Sequence, residues 1–150
     1  MAAETTAFTD RDRAFHEAGH AVLAAQLGVD IKRVSIVPIP EARSHVKLSA
    51  HPGLSPAEEV VVQLAGEEAQ RRLDGGEWVM PSDRERTQRL LAAAGIDEAQ
   101  GRRMFADGRE RAARLLADAG TWRRVEAVAA ALLAEGTLEG HRFRDVMAGA

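Results

Sequence analysis

The sequence predicts a mainly α domain with a small β-hairpin or short sheet, an α+β class in which helix dominates. Three observations carry this. Apolar residues recur at helical spacing through most of the chain, in segments punctuated by Gly28, Gly75, Gly95, Gly120 and Gly136. The period switches to two in one place only, within residues 31–50. Alanine, leucine, arginine and glutamate, all good helix formers, recur throughout.

In chain order, residues 1–8 are small and polar and are expected to be disordered, leaving one domain over residues 9–150. Thr9 or Asp10 can cap a first helix whose stripe runs through Phe15, His16, Gly19, His20, Leu23 and Leu27. Ala14, Ala18, Val22 and Ala25 widen its apolar face, so most of it should be buried, and Gly28 is placed to end it. Residues 31–39 (IKRVSIVPI) read as a strand with Val34 and Ile36 on one face and Ile31, Arg33 and Ser35 on the other. Pro38 and Pro40 exclude a long central strand there. Residues 43–50 are a second candidate strand, joined to the first by a loop near Glu41. After a turn at His51, Pro52 and Gly53, Ser55, Pro56 and Glu58 form a capping box with proline at the first helical position. That helix buries Val60, Val61, Leu64, Ala65 and Leu73 and stops at Gly75 and Gly76. Ser82 and Glu85 have capping-box spacing for the next helix, which ends at Gly95. Helices follow over residues 97–119 and 122–135, with a short terminal one near 142–147.

Composition narrows the chemistry. The net charge of -3 gives no electrostatic reason to expect nucleic acid. Acids are interleaved among the arginines from Arg84 to Arg124, which reads as a solvated helix surface. There is no cysteine, so any metal must use His, Asp or Glu. With no apolar run of membrane-spanning length and no signal-peptide pattern, no membrane anchor is expected in this chain, and a cytoplasmic location is.

The segment HEAGH, residues 16–20, carries the functional signal. Helical spacing puts His16 and His20 one turn apart on one face, where two imidazoles can share a zinc ion. Glu17 directly follows the first histidine and can take a proton from a water on the metal. The pair lies on the apolar stripe, where imidazoles without partners would be costly. Ala18 and Gly19 keep the helix thin there, so that another element can approach. A zinc hydrolase site needs a third protein ligand. His45, His51 and His141 are lone histidines that read as loop or surface residues. Glu67 and Glu68 read as a solvated helix face. Asp83 sits on the inward stripe Asp83, Thr87, Leu90, Ala94, but an acid at a helix N-terminus is also explained by the helix dipole alone. Periodicity leaves these alternatives open. Trp78 and Trp122 read as packing residues.

The ordered set HEAGHAVLA, VSIVPIP, LAGEEAQ, SDRERTQRLL and EGTLEGHRF resembles the peptidase domain of FtsH-type AAA ATP-dependent zinc metalloproteases, over most of residues 14–146. The resemblance implies a helical zincin-like fold in which His16, His20 and Asp83 hold zinc and Glu17 is the catalytic base. It further implies a metalloendopeptidase that hydrolyses peptide bonds through a zinc-bound water, with a peptide or unfolded protein as substrate. This chain departs from the pattern. No ATPase module or transmembrane anchor is expected in this chain, and a separate unfoldase or adaptor is an expected partner. Gln70 stands where the family usually has glutamate, Ser82 where asparagine is common, and residues 43–49 lack the usual glycine. These departures motivate an alternative: a non-proteolytic regulatory or interaction module that keeps zinc.

Overall fold

A computed structural model describes residues 8–49, 53–76 and 79–150. In chain order the elements are α1 (Asp10–Gln26), β1 (Ile31–Ser35), β2 (His45–Leu48), α2 (Pro56–Asp74), α3 (Pro81–Ala93), α4 (Glu98–Ala117), α5 (Ala119–Glu135), β3 (Thr137–Glu139) and α6 (Gly140–Gly149). Among these residues no helix is long and apolar enough to cross a membrane.

Helix α1 is the centre of the larger of two core clusters; the smaller lies between α2, α3 and α4. Thr9 starts it with a reciprocal cap: its hydroxyl accepts from the Asp12 N–H at 3.1 Å, and the Asp12 carboxylate accepts from the Thr9 N–H at 2.9 Å. Residues 14–24 are all buried. Helix α2 covers one side, α5 another, and the sheet a third. A helix enclosed on this many sides must be built from small and apolar residues, and alanine, glycine, valine and leucine supply them. The contact with α2 is a contact between backbones. A Cβ at Gly19 would stand 2.7 Å from the Ala65 carbonyl oxygen and from the Ala69 Cβ.

Helix α2 starts at the expected box of Ser55 and Glu58, with Pro56 in its first turn. It ends at Gly75, whose φ of 73° is the left-handed conformation that glycine adopts without a Cβ penalty. The hairpin is present and gains a third strand that the sequence did not disclose. β1 pairs antiparallel with β2 on one edge and with β3 on the other, in the order β2-β1-β3. Val34 lies opposite Val46 and Leu138. A register irregularity between Ile31 and Arg33 lets Ile31 and Val34 both face inward, correcting the strict alternation expected of residues 31–39. β1 stops at Ser35, before the two prolines, and Ile39 pairs back on Ala42 to close the loop.

Three further helix boundaries are corrected. Ser82 does not cap α3. Its N-cap is Met80, which makes no side-chain cap bond, and Pro81 and Ser82 already lie in the first turn. Gly120 does not separate α4 from α5. Asp118 does, by accepting from the Thr121 N–H at 2.9 Å, and Gly120 is inside α5. The terminal helix starts at Gly140, directly after β3. The expected turn at His51 and Pro52 lies outside the described residues, as does Trp78. Trp122, partly buried, packs on Phe15 at the margin of the core with ring centroids 5.8 Å apart, as expected of a packing residue.

We predict that Gly19→Ala destabilises the domain. Overpacking costs about 1–3 kcal/mol, which outweighs the gain of about 1 kcal/mol from replacing glycine inside a helix. Urea unfolding monitored by circular dichroism checks this; a midpoint equal to or above wild type would contradict a backbone contact at that position.

Candidate metal centre

Residues 16 and 20 bring their imidazoles together because one helical turn separates them. Their ring centroids are 4.6 Å apart and nearly perpendicular. Each ring is fixed from behind. His20 Nδ1 lies 2.7 Å from the Val62 carbonyl oxygen, which can only accept, so that nitrogen carries the proton. His16 Nδ1 lies 2.5 Å from Gln70 Oε1 and donates to it in the same way. When the rings are neutral, the lone pair of each is therefore left on Nε2.

The two lone pairs point at each other and at a carboxylate. His16 Nε2 and His20 Nε2 are 3.0 Å apart, and Asp83 Oδ2 lies 2.8 Å from the first and 3.0 Å from the second. All three residues are nearly enclosed, with exposures of 3%, 9% and 6%. Three acceptors this close, with no donor among them, require a cation. His16, His20 and Asp83 are thus a buried group that could hold a metal ion. Ligand atoms around a tetrahedral ion with bonds of about 2.0–2.1 Å stand about 3.3 Å apart. The observed spacing needs to open by only a few tenths of an ångström.

Helix α2 completes the cradle. Val62, Gly66 and Gln70 repeat at four-residue intervals and so share one face. Val62 and Gln70 hold the two Nδ1 atoms, and Gly66 lies between them. A Cβ at Gly66 would fall 2.6 Å from His16 Cε1, His16 Nε2 and His20 Nε2. Only a hydrogen atom fits between the helix and the converging nitrogens. Asp83 enters from α3, with Thr87 one turn on donating its hydroxyl to the Asp83 carbonyl at 2.8 Å. Of the inward stripe expected there, Asp83 and Thr87 are buried, joined by Leu91 rather than Ala94.

Without a metal, a proton can supply the positive charge. Burial alone would lower the His20 pKa, but the Asp83 hydrogen bond and charge outweigh it, helped by Glu17 and the Val62 carbonyl, and raise it to about 9. Burial would likewise raise the Asp83 pKa, but hydrogen bonds and charge from His16 and His20 hold it well below the usual carboxylate range.

The group lies in a cleft of about 630 Å³. Glu17 is in its lining, 7% exposed, and its carboxylate accepts a hydrogen bond from the Ser44 hydroxyl. Residues 41–46 and Leu48, which include most of β2, form one wall; Val62, Gln63, Met80, Ser82 and Arg86 lie among the rest. Among the described residues β2 is an edge strand, with a strand partner on one side of its backbone only.

The other expected or candidate residues fall elsewhere. His45 lines the cleft from β2 but is not one of the converging ligands, and His141 is exposed on α6. His51 lies outside the described residues. The expectation of a solvated face at Glu67 and Glu68 is corrected: both are buried, Glu67 against Arg84 and Met80, Glu68 against Arg71 and Arg109. Ser44 and Gly66 were not singled out for the site. The spacing 62, 66, 70 was the available signal for Gly66. Nothing local marks Ser44, which meets Glu17 through the hairpin. No family model matches the chain, and no curated protein is significantly similar to it.

Two predictions follow from this geometry. Gly66→Ala should weaken binding of a divalent metal ion by about 10-fold or more, measured with Zn²⁺ as the probe in competition with a chromophoric chelator; unchanged affinity would mean that the nitrogens are not confined by α2. The second concerns pH. The folded pKa of His20, about 9, exceeds its ordinary 6.5. Its stabilising contribution is therefore complete below about pH 6.5 and lost as pH rises through about 9. Chelator-treated protein should accordingly melt at falling temperature between about pH 7 and pH 10, and His20→Gln should flatten that slope. A wild-type melting temperature constant over this range would contradict the assignment.

Proposed function

We propose that the chain is a zinc-dependent endopeptidase, with His16, His20 and Asp83 as ligands and Glu17 as general base. The observation that carries the reading is the convergence of two Nε2 lone pairs and one carboxylate oxygen in a cleft that also contains the next side chain, Glu17. Two imidazoles, one carboxylate and no thiolate suit zinc. When bound, zinc supplies a Lewis acid that polarises the scissile carbonyl and lowers the pKa of water toward neutrality.

The protein's own side chains would do the rest. Gln70 and the Val62 carbonyl keep both imidazoles in the tautomer that offers Nε2 to the ion. Glu17 takes the proton of the attacking water and passes it to the leaving amine. The Ser44 hydroxyl, bonded to one Glu17 oxygen, orients the carboxylate and leaves the other oxygen for the water. An extended peptide can lie along the outer edge of β2, which pairs with no strand among the described residues, as an added strand whose backbone bonds are largely independent of side chain. Such a mode suits unfolded segments, which a separate unfoldase or adaptor would supply.

One observation favours a second reading, a non-proteolytic zinc-binding module: Glu17 is already engaged by Ser44 and is largely buried. Both readings are tested by the same comparison. Purified protein is expected to hold one zinc per chain, to cleave members of an unstructured peptide library, and to lose that cleavage by about 100-fold or more in Glu17→Gln with zinc content unchanged. Zinc retained without any cleavage by wild type would sink the peptidase reading and support the module. A folded protein that takes up no zinc would sink both.

A further inference from the structure

Asp83 occupies a position at which an acidic side chain is ordinarily spent on its own helix. Counting from the N-cap Met80, Asp83 is the third helical residue of α3. At that position in α1, Asp12 bends back to accept from the N-cap N–H of Thr9 at 2.9 Å. In α2, Glu58 does the same for Ser55 at 3.1 Å. This is the capping-box habit, and it consumes the carboxylate. In α3 the pattern is broken. The Met80 N–H donates instead to Glu67 Oε2 of α2, at 3.0 Å. Asp83 turns inward to the histidines.

Glu67 holds the other side of Asp83 as well. Arg84, the next residue, donates from Nη2 to Glu67 Oε1 at 2.9 Å and from Nε to both oxygens at 3.2 and 3.3 Å. The Arg84 guanidinium also lies 4.9 Å from the Phe105 ring centroid of α4. Glu67 is 1% exposed. A buried carboxylate thus grips α3 at residues 80 and 84, on either side of residue 83, and supplies the negative charge that the start of α3 would otherwise draw from Asp83.

We propose that Glu67 is the positioning residue for the third metal ligand: by taking over the N-cap N–H and pairing with Arg84, it releases the Asp83 carboxylate from helix capping and sets it against the imidazoles. The proposal rests on the reading of His16, His20 and Asp83 as a metal centre. Removal of Glu67 frees the Met80 N–H, and Asp83 bends back to it as Asp12 and Glu58 do in their helices.

The test is a double-mutant cycle on Zn²⁺ affinity, read by chelator competition, with the melting temperature of each chelated variant recorded alongside. Glu67→Ala is expected to lose about 10- to 100-fold in affinity. In an Asp83→Ala background it should cost nothing more, because it acts through a ligand no longer present. Glu67→Gln, whose amide oxygen still accepts from Met80, should recover part of the loss. Glu68→Gln is the control: Glu68 is also buried on α2 but pairs with Arg71 and Arg109 and not with α3, so its variant should bind zinc as wild type does. Wild-type affinity in Glu67→Ala, a further loss in the Asp83→Ala background, or an equal loss in Glu68→Gln would each overturn the proposal. A wild-type protein that binds no zinc would instead overturn the metal reading itself.

Discussion

Three acceptor atoms that face one another without a hydrogen between them are the constraint from which the centre of this molecule is built. Left alone, two imidazole nitrogens and a carboxylate oxygen at 2.8–3.0 Å would repel. The arrangement persists because a cation, proton or metal, belongs at its middle, and because the surrounding helices determine which atoms are acceptors. The Val62 carbonyl and the Gln70 amide oxygen each claim an Nδ1 proton. Neither residue is one of the three converging ligands, yet together they set which ring nitrogens face the centre.

That arrangement demands an unusual closeness of α1 and α2. Gly19 on one helix and Gly66 on the other let the two approach until hydrogens alone fill the gap at two places. Dense packing at this seam is also rigid packing, since a shift of either helix meets the Ala65 carbonyl at Gly19 or the two imidazoles at Gly66. The far side of the cleft is built differently: among the described residues, the segment 39–44 bridges on itself between Ile39 and Ala42 and meets α1 through the Ser44–Glu17 contact, and the edge strand that follows it pairs with β1. The cleft thus joins a floor of packed helices to a wall made of a loop and an edge strand, a common division between elements that hold a site and elements that admit a ligand.

What was legible in the sequence was what is local. Thr9 with Asp12 and Ser55 with Glu58 lie three residues apart, so their helix starts follow from a short window. The His16–His20 pair is visible for the same reason. What was not legible depends on partners far along the chain. β3 is three residues long, too short for a period to register, and exists because β1 offers it an edge. Glu67 looks like a surface acid until Arg84 and the Met80 N–H are brought to it. Ser82 and Glu85 match a capping box in spacing, but Pro81 takes the first helical position and moves the helix start to Met80. Asp83 lay between these cases: its inward phase could be read, and periodicity alone left its role open.

The sequence separation of the ligands has a consequence for the order in which the centre can come into being. His16 and His20 are supplied by α1 alone, whenever that helix forms. Asp83 is 67 residues from His16 along the chain, and it joins them only when α2 is seated on α1 and α3 on α2. Bringing such distant residues together carries a loop-closure entropy that grows with the logarithm of the separation. Three-point coordination is therefore a property of the assembled tertiary structure and of no fragment of it. An ion bound there would favour every state in which α1, α2 and α3 are assembled over those in which they are not.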